Sequence, residues 1–253
     1  MGVPSALHWG MLIGHYGIAF AAKRAAPRTS LGTLAFAAQF LDELWPVLLL
    51  LGLEQVRVVP GLMSASALDF VWYPWSHSLL MTAVWAGVVG GIYFLRTRYG
   101  RGAWVVAAVV LSHWILDAPM HRPDLALWPG SSIVVGGGLW NSKRLTFLAD
   151  GGVFLIGLAV YLHTTRSRDA IGRWGLWAMV ALLLFAFVSA MFDPPPASDR
   201  AVAWSALLLW LFVPWSWWID RHREVVGKDA DGSPQHVQES TGGREDLGAG
   251  AQH

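Results

Sequence analysis

Long apolar segments separated by short polar connections make up most of the first 220 residues of this 253-residue chain. About 20 consecutive apolar residues are enough for a helix to cross a lipid bilayer. The pattern therefore predicts an all-α fold, a polytopic transmembrane helix bundle of about seven spans. The predicted spans are 7–22, 31–52, 76–95, 103–119, 146–163, 174–192 and 201–219.

Lysine and arginine residues cluster after every second predicted span. Cytoplasmic loops of membrane proteins carry an excess of these two residue types. The pattern therefore predicts that the N-terminus lies outside and the C-terminus lies in the cytoplasm. The clustered residues are Lys23, Arg24, Arg28, Arg96, Arg98, Arg101, Arg166, Arg168, Arg173, Arg221 and Arg223.

Composition narrows the range of functions. Only 14% of the residues are charged and 55% are apolar, which is typical of a membrane protein. The net charge of +1 gives no field that would attract nucleic acid, so we expect no nucleic-acid partner. The chain has no cysteine, which excludes disulfides, thiolate ligands and a cysteine nucleophile.

Ionisable residues interrupt the first four predicted spans. Such residues are costly in a bilayer, so each requires a partner or a function. His113 and Asp117 are four residues apart and share one helix face. In the predicted orientation all of these residues lie between the midplane and the outer surface, which indicates one shared pocket. Histidine and carboxylate side chains bind divalent metals, so we predict a metal site, with zinc as the first candidate. The candidate ligands are His15, Asp42, His77, His113 and Asp117.

Other polar residues close to these ligands are candidates for supporting roles. Asp42 and Glu43 are the candidate catalytic carboxylates, with Glu43 as a possible general base. Adjacent helical residues point about 100° apart, however, so Glu43 is expected beside the site rather than in it. Ser76, Ser78 and Ser112 flank histidines and are expected to orient their imidazoles. Asp69 and His121 lie in or beside the outer loops and are expected to line the same pocket.

The chain divides into three predicted regions. Residues 1–145 form a four-helix membrane region that carries the metal site. Residues 146–223 form three further transmembrane helices, which are poor in candidate ligands. Residues 224–253 contain almost no large apolar side chain and are predicted to be a disordered cytoplasmic tail.

Five short motifs occur in a characteristic order. They are Gly14-His15, Asp42-Glu43-Leu44-Trp45-Pro46, Trp75-Ser76-His77-Ser78-Leu79-Leu80, Leu111-Ser112-His113-Trp114-Ile115-Leu116-Asp117 and Leu127-Trp128-Pro129. This order, over roughly residues 10–130, resembles the YdjM-like membrane-bound metal-dependent hydrolases of bacteria. Three positions depart from that pattern. Leu44 and Trp45 replace a second acid and a histidine, and Ser76 replaces a threonine.

The resemblance implies a function as well as a ligand set. The same histidines and aspartates would bind the metal, in a multi-pass protein of the bacterial inner membrane. A metal-activated water would cleave a phosphoester in a lipid-like substrate, with membrane lipids as the surroundings. Two alternatives remain open. Intramembrane His and Asp residues also serve transporters and permeases, and a metal can be purely structural in a non-catalytic membrane protein.

Overall fold

The structure is a computed structural model that describes residues 13–226, and it is mostly helical. Five single helices and one composite segment within those residues are long and apolar enough to cross a membrane, as expected of a multi-pass membrane protein. The nine α-helices of the described part are α1 Ile13–Ala25, α2 Leu31–Leu50, α3 Pro74–His77, α4 Leu79–Thr97, α5 Gly100–Met120, α6 Lys143–Thr164, α7 Ala170–Phe192, α8 Asp199–Ala206 and α9 Phe212–Arg221.

The six candidate spans correspond to six of the seven predicted ones. They are α2, α4, α5, α6, α7 and the composite segment Asp199–Arg221, in which a 3-10 helix at Leu207–Leu211 joins α8 to α9. The remaining predicted span, 7–22, overlaps α1, which has 13 residues in the described part. Residues 7–12 of that span lie outside the described residues.

Three short antiparallel strand pairs add to the predicted all-α fold. They are β1 Gln55–Val58 with β2 Leu68–Trp72, β3 Leu125–Ala126 with β4 Val134–Val135, and β5 Thr165–Ser167 with β6 Arg223–Val225. The first two are built from connections between helices, and the third pairs the connection after α6 with the segment that follows α9. The pairing of β6 with β5 extends regular structure two residues past the predicted tail boundary, and residues 227–253 of the predicted tail lie outside the described part.

One end of the helix bundle carries most of the loop structure. This loop-rich end consists of β1–β4, α3 and a 3-10 helix at Leu139–Asn141. The aromatic rings of Phe70 and Trp140 stack there with centroids 6.0 Å apart. The backbone N–H of Ala65 donates to the carbonyl of Trp140 at 2.8 Å, which ties two loops together. The apolar cluster beneath this end includes Trp45, Tyr73, Met120 and Leu125.

The opposite end carries the clustered lysines and arginines and is called the basic end here. Its connections are 26–30, 98–99, 165–169 and 222–226. Lys23 is buried there and its Nζ lies 2.7 Å from Oδ1 of Asp220, which joins α1 to α9. The guanidinium of Arg223 donates to Oγ1 of Thr165 at 3.0 Å. The chain thus places its loop-rich and basic ends on opposite sides of the bundle.

The exposed surface of the bundle is apolar along its helices. On α4 the exposed side chains include Leu80, Val84, Val88, Ile92 and Leu95. These residues recur every three or four positions, so they form one stripe along the helix. Such a stripe would be unfavourable in water, and it suits contact with lipid acyl chains.

The α1 and α6 helices approach each other at two glycines. A β-carbon on Gly157 would lie 1.9 Å from the carbonyl oxygen of Gly17, so neither position has room for a side chain. Glycine allows this close backbone approach, which is common between membrane helices. In addition, Oδ1 of the buried Asp150 accepts a hydrogen bond of 2.5 Å from the N–H of Gly14. The α6 helix therefore fixes the position of α1, across the predicted regional boundary at residue 145.

Candidate metal centre

The predicted ligands come together at the half of the bundle nearest the loop-rich end. His15 lies near the start of the described part of α1, Asp42 lies on α2, and His77 is the last residue of α3. His113 and Asp117 lie one turn apart on α5. Four of these side chains are buried, whereas that of Asp42 is 25% exposed. Two groups of three are close enough to hold a metal ion: His15, His113 and Asp117, and also Asp42, His77 and His113.

Three of the four separations between donor atoms match those around a small cation. Nε2 of His113 lies 3.3 Å from Oδ2 of Asp117 and 3.6 Å from Oδ1 of Asp42. Nε2 of His77 lies 3.5 Å from the same Asp42 oxygen and 3.9 Å from Oδ2 of Asp117. Ligands of a tetrahedral zinc are about 3.3–3.6 Å apart, because each lies about 2.0–2.2 Å from the ion.

The same separations are too long for good hydrogen bonds, which have N···O distances of about 2.7–3.2 Å. Nε2 of His113 and both ring nitrogens of His15 are buried and make no hydrogen bond within the described chain. Buried polar atoms without a partner carry a substantial free-energy cost. A cation held between the side chains would remove that cost, so the residues present fit a metal ion.

Backbone geometry decides which nitrogen of His113 faces the centre. Nδ1 of His113 lies 2.8 Å from the carbonyl oxygen of Ala38 on α2. A carbonyl oxygen can only accept, so Nδ1 carries the proton and Nε2 presents its lone pair to the carboxylates. This arrangement is the one found around metal-binding histidines, whose second nitrogen is usually bonded to a carbonyl or a carboxylate.

His77 has the same orientation through a different partner. Its Nδ1 lies 2.7 Å from Oγ of Ser76, and that hydroxyl lies 2.7 Å from Oε2 of Glu54. The N–H of Ser76 also donates to Oε1 of Glu54 at 2.8 Å. Glu54 is 2% exposed. Burial raises the pKa of its carboxyl, and the hydrogen bonds from Ser76 act in the opposite direction.

Glu54 was not among the residues that the sequence singled out. It lies four residues after the end of α2, in a connection without helical or strand periodicity. Only a lone acid directly after an apolar span marked it, and that feature does not reveal a partner 22 residues further along the chain.

The structure gives the other two serines different partners from those expected. Oγ of Ser78 accepts from the N–H of Met81 at 3.3 Å and caps the N-terminus of α4. Ser78 also has an extended backbone, which separates α3 from α4, so His77 precedes the spanning helix instead of beginning it. Oγ of Ser112 donates to the carbonyl of Val109 at 2.7 Å, within its own helix.

Glu43 lies beside the centre but does not take part in its contacts. Its side chain is 1% exposed, and neither carboxylate oxygen has a hydrogen-bond partner among the described residues. Asp42, one position earlier, reaches both His77 and His113. The 100° turn between neighbouring residues of a helix explains the difference, because only one of the two can face α3 and α5.

Asp69 and His121 belong to a second polar network at the loop-rich end. Nδ1 of His121 lies 3.0 Å from Oδ1 of Asp124, and the hydroxyl of Tyr73 donates to the same oxygen at 2.8 Å. Arg122 pairs with both Asp69 and Asp124. Burial, together with the Asp124 carboxylate, raises the pKa of the Tyr73 phenol well above its usual range. The phenol therefore remains a hydrogen-bond donor.

This network borders a cleft that leads to the centre. The cleft has a volume of about 170 Å³, and its lining includes Tyr73, His77, Asp124 and Ser131. The rings of Tyr73 and His77 lie 5.5 Å apart. The cleft therefore connects the surface of the loop-rich end with a candidate metal ligand.

His113 can bind only one metal ion, although it belongs to both candidate groups. Its Nδ1 is used by Ala38, so it has a single lone pair, at Nε2, for the two candidate groups. The imidazole of His15 stacks on that of His113 with centroids 3.8 Å apart, and its Nε2 lies 3.3 Å from Oδ1 of Asp117. His15 is thus placed to interact with the second oxygen of Asp117 while Oδ2 faces His77 and His113.

Comparison with known proteins assigns no family, because no protein-family model, curated protein or solved structure matches the chain. The functional argument therefore rests on the residues and on their geometry.

Proposed function

We propose that the protein is a membrane-embedded, metal-dependent hydrolase that cleaves a phosphoester in a lipid-like substrate. The observation that carries the proposal is the spacing of buried donor atoms, which suits a cation and does not suit hydrogen bonds. The motif order, which resembles that of the YdjM-like membrane-bound hydrolases of bacteria, supports it. On the same basis we propose the bacterial inner membrane as its location.

The donor set suggests a division of tasks. His77, His113 and Asp42 form the group that would hold a divalent ion, for which zinc suits nitrogen and oxygen donors, and Asp117 is a further donor beside His113. When bound, such an ion polarises a phosphoryl oxygen and makes water a stronger nucleophile. Asp42 has the most exposed side chain of the four, so it lies where water or substrate can reach the centre. His15 would hold the second oxygen of Asp117 and keep that carboxylate oriented.

Two surfaces would bring a substrate to the candidate metal centre. The cleft beside Tyr73 and His77 admits a polar headgroup from the loop-rich end. The apolar stripe on α4 places lipid acyl chains alongside the bundle. A molecule with both a phosphoester headgroup and acyl chains would use the two together.

One observation favours a structural metal as the second candidate. A fourth protein donor, Oδ2 of Asp117, lies 3.3 Å from Nε2 of His113 and 3.9 Å from Nε2 of His77, and structural zinc sites typically have four protein ligands whereas catalytic ones keep a position open. In that case chelation would lower the melting temperature, and no phospholipid or lipid-linked phosphate would be hydrolysed by the metal-loaded protein.

Metal content tests the centre first. Protein purified in detergent should contain close to one zinc or other transition metal per chain, measured by mass spectrometry. His113→Ala and Asp42→Ala should lose it, while His163→Ala, which alters an exposed histidine near the end of α6, should retain it. Wild-type protein that takes up no metal on supplementation would refute the proposal.

Hydrolysis is measured next, on the metal-loaded protein. Release of phosphate or headgroup from phospholipid or lipid-linked phosphate should stop with a chelator and return with zinc. It should also be lost in His113→Ala. Turnover that survives both changes would refute a metal-dependent reaction, whereas metal binding without turnover would favour the structural role.

A further inference from the structure

The two histidines that face Asp42 are oriented in different ways. For His113 the partner of Nδ1 is a backbone carbonyl, which no substitution can remove. For His77 the partner is the hydroxyl of Ser76, which is completely buried. The orientation of His77 therefore depends on side chains alone.

The hydroxyl of Ser76 has one proton, and the geometry shows where it goes. Glu54 presents carboxylate oxygens to both the Oγ and the N–H of Ser76, at 2.7 and 2.8 Å. The carbonyl oxygen of Tyr73 also lies near the hydroxyl, but at 3.3 Å. The Glu54 carboxylate is nearer than that carbonyl and is a stronger acceptor than a neutral imidazole nitrogen, so the hydroxyl donates to Glu54. The oxygen is then left to accept from His77, which must carry its proton on Nδ1.

We infer that Glu54, acting through Ser76, is the positioning residue that turns Nε2 of His77 toward the metal centre. This inference rests on the proposed function, because it assigns a role within the same centre. Without Glu54 the Ser76 hydroxyl would be free to donate to Nδ1 of His77. That would favour the other tautomer, in which Nε2 carries a proton and cannot bind a cation.

The location of Glu54 suits this role. It lines a cleft of about 420 Å³ at the loop-rich end, together with Arg57, Asp199 and Arg200. The cleft contains both polar and charged groups, so the carboxylate is held at the edge of the bundle and not within its apolar core. The hydrogen-bonded chain Glu54–Ser76–His77 thus runs from that cleft to the candidate ligands.

Zinc affinity in full-length, detergent-purified protein tests the inference. Ser76→Ala removes the acceptor from Nδ1 of His77, and Glu54→Gln replaces one carboxylate oxygen by a donor. Loss of such an outer partner typically weakens metal binding about 10- to 100-fold. We expect a weakening of this size for Ser76→Ala, a weakening in the same direction for Glu54→Gln, and near wild-type affinity for Ser76→Thr, which keeps the hydroxyl.

Ser78→Ala is the matched control. It removes a second serine hydroxyl next to His77, but this one caps α4. We expect Ser78→Ala to lower thermal stability and to leave zinc affinity per folded protein unchanged. The visible spectrum of the cobalt-loaded protein should change in Ser76→Ala and Glu54→Gln and remain unchanged in Ser78→Ala, because only the first two affect the orientation of the ligand His77.

A double variant separates a shared pathway from two independent effects. Ser76→Ala/Glu54→Gln should bind zinc no more weakly than Ser76→Ala alone, since both changes act on the same contact. If the wild type binds zinc and both Ser76→Ala and Glu54→Gln bind it with wild-type affinity, the inference is overturned and the proposed function is left intact. A wild type that binds no zinc would overturn both.

Discussion

At the scale of single residues, Asp42 and Glu43 show how position on a helix decides the environment of a carboxylate. Asp42 faces two histidines, and Nε2 of His77 and of His113 lie 3.5 and 3.6 Å from its Oδ1. Glu43 is buried without a hydrogen-bond partner in the described part of the chain. The first carboxylate lies among the other candidate metal ligands, and the second has no such neighbours.

Glu43→Met tests this difference. Methionine has a similar size and no charge, so the substitution removes an unpaired buried carboxyl without leaving a cavity. We expect the free energy of unfolding to rise by about 1–3 kcal/mol, since an unsatisfied buried polar group costs about that much. Thermal unfolding in detergent measures the change, and zinc content should equal that of the wild type.

The opposite result would restore Glu43 to the role suggested by its sequence position. Loss of hydrolysis in Glu43→Met at unchanged zinc content would indicate a general base. Loss of zinc would indicate a ligand or a close support for one. Asp42→Ala is the comparison, because it should lose zinc under the same conditions.

At the scale of elements, the crossing of α1 and α6 supports the centre from a distance. His15 lies two residues before Gly17, and Gly17 touches Gly157 through its backbone. Any side chain at this crossing separates the two helices. Because α1 carries His15, the separation would also move that imidazole away from His113 and Asp117.

Gly157→Ala is therefore expected to destabilise the protein. Inserting a methyl group into a packed contact typically costs about 1–3 kcal/mol. Gly152→Ala, on the same helix, is the control, since no atom lies within 4 Å of a β-carbon there. It should be neutral or stabilising by up to about 1 kcal/mol, because alanine favours a helix more than glycine does. Equal melting temperatures for the two variants would contradict the close crossing.

The elements differ in how far the sequence predicts them. The helices α2 and α7, expected at 31–52 and 174–192, were predictable because long apolar segments define them without reference to partners. The contact of His113 with Asp117 was predictable because both lie on one helix at a spacing of four. The break at Ser78 was not, because the predicted span began at residue 76 and only the backbone shows that α3 ends at His77 and α4 begins at Leu79.

Long-range contacts mark the limit of sequence reasoning in this chain. The contact of Glu54 with Ser76 depends on how the β1–β2 hairpin folds back, and short strands carry a weak signal of their own. The same holds for the contact of Nδ1 of His113 with Ala38 on another helix. Depth in the membrane indicated that the ligands could meet, whereas the partners that orient them depend on packing.

At the scale of the whole molecule, the centre lies toward one end of an asymmetric bundle. The loop-rich end holds two strand pairs, the Tyr73 network and the cleft at His77. The basic end holds the clustered lysines and arginines and the buried pair of Lys23 with Asp220. The positive-inside rule places the basic end in the cytoplasm, so the loop-rich end and the entrance to the centre would face the opposite side.

The absence of native cysteine makes this orientation directly measurable. Ser132→Cys places a thiol at an exposed position of the loop-rich end, and Ala170→Cys places one at the exposed start of α7 at the basic end. In intact cells or spheroplasts a membrane-impermeant maleimide should label Ser132→Cys, while Ala170→Cys should react only after the membrane is opened. The unmodified protein controls for background. The reverse labelling pattern would place the entrance in the cytoplasm and restrict substrates to those of the inner leaflet, because the cleft at His77 lies at the loop-rich end.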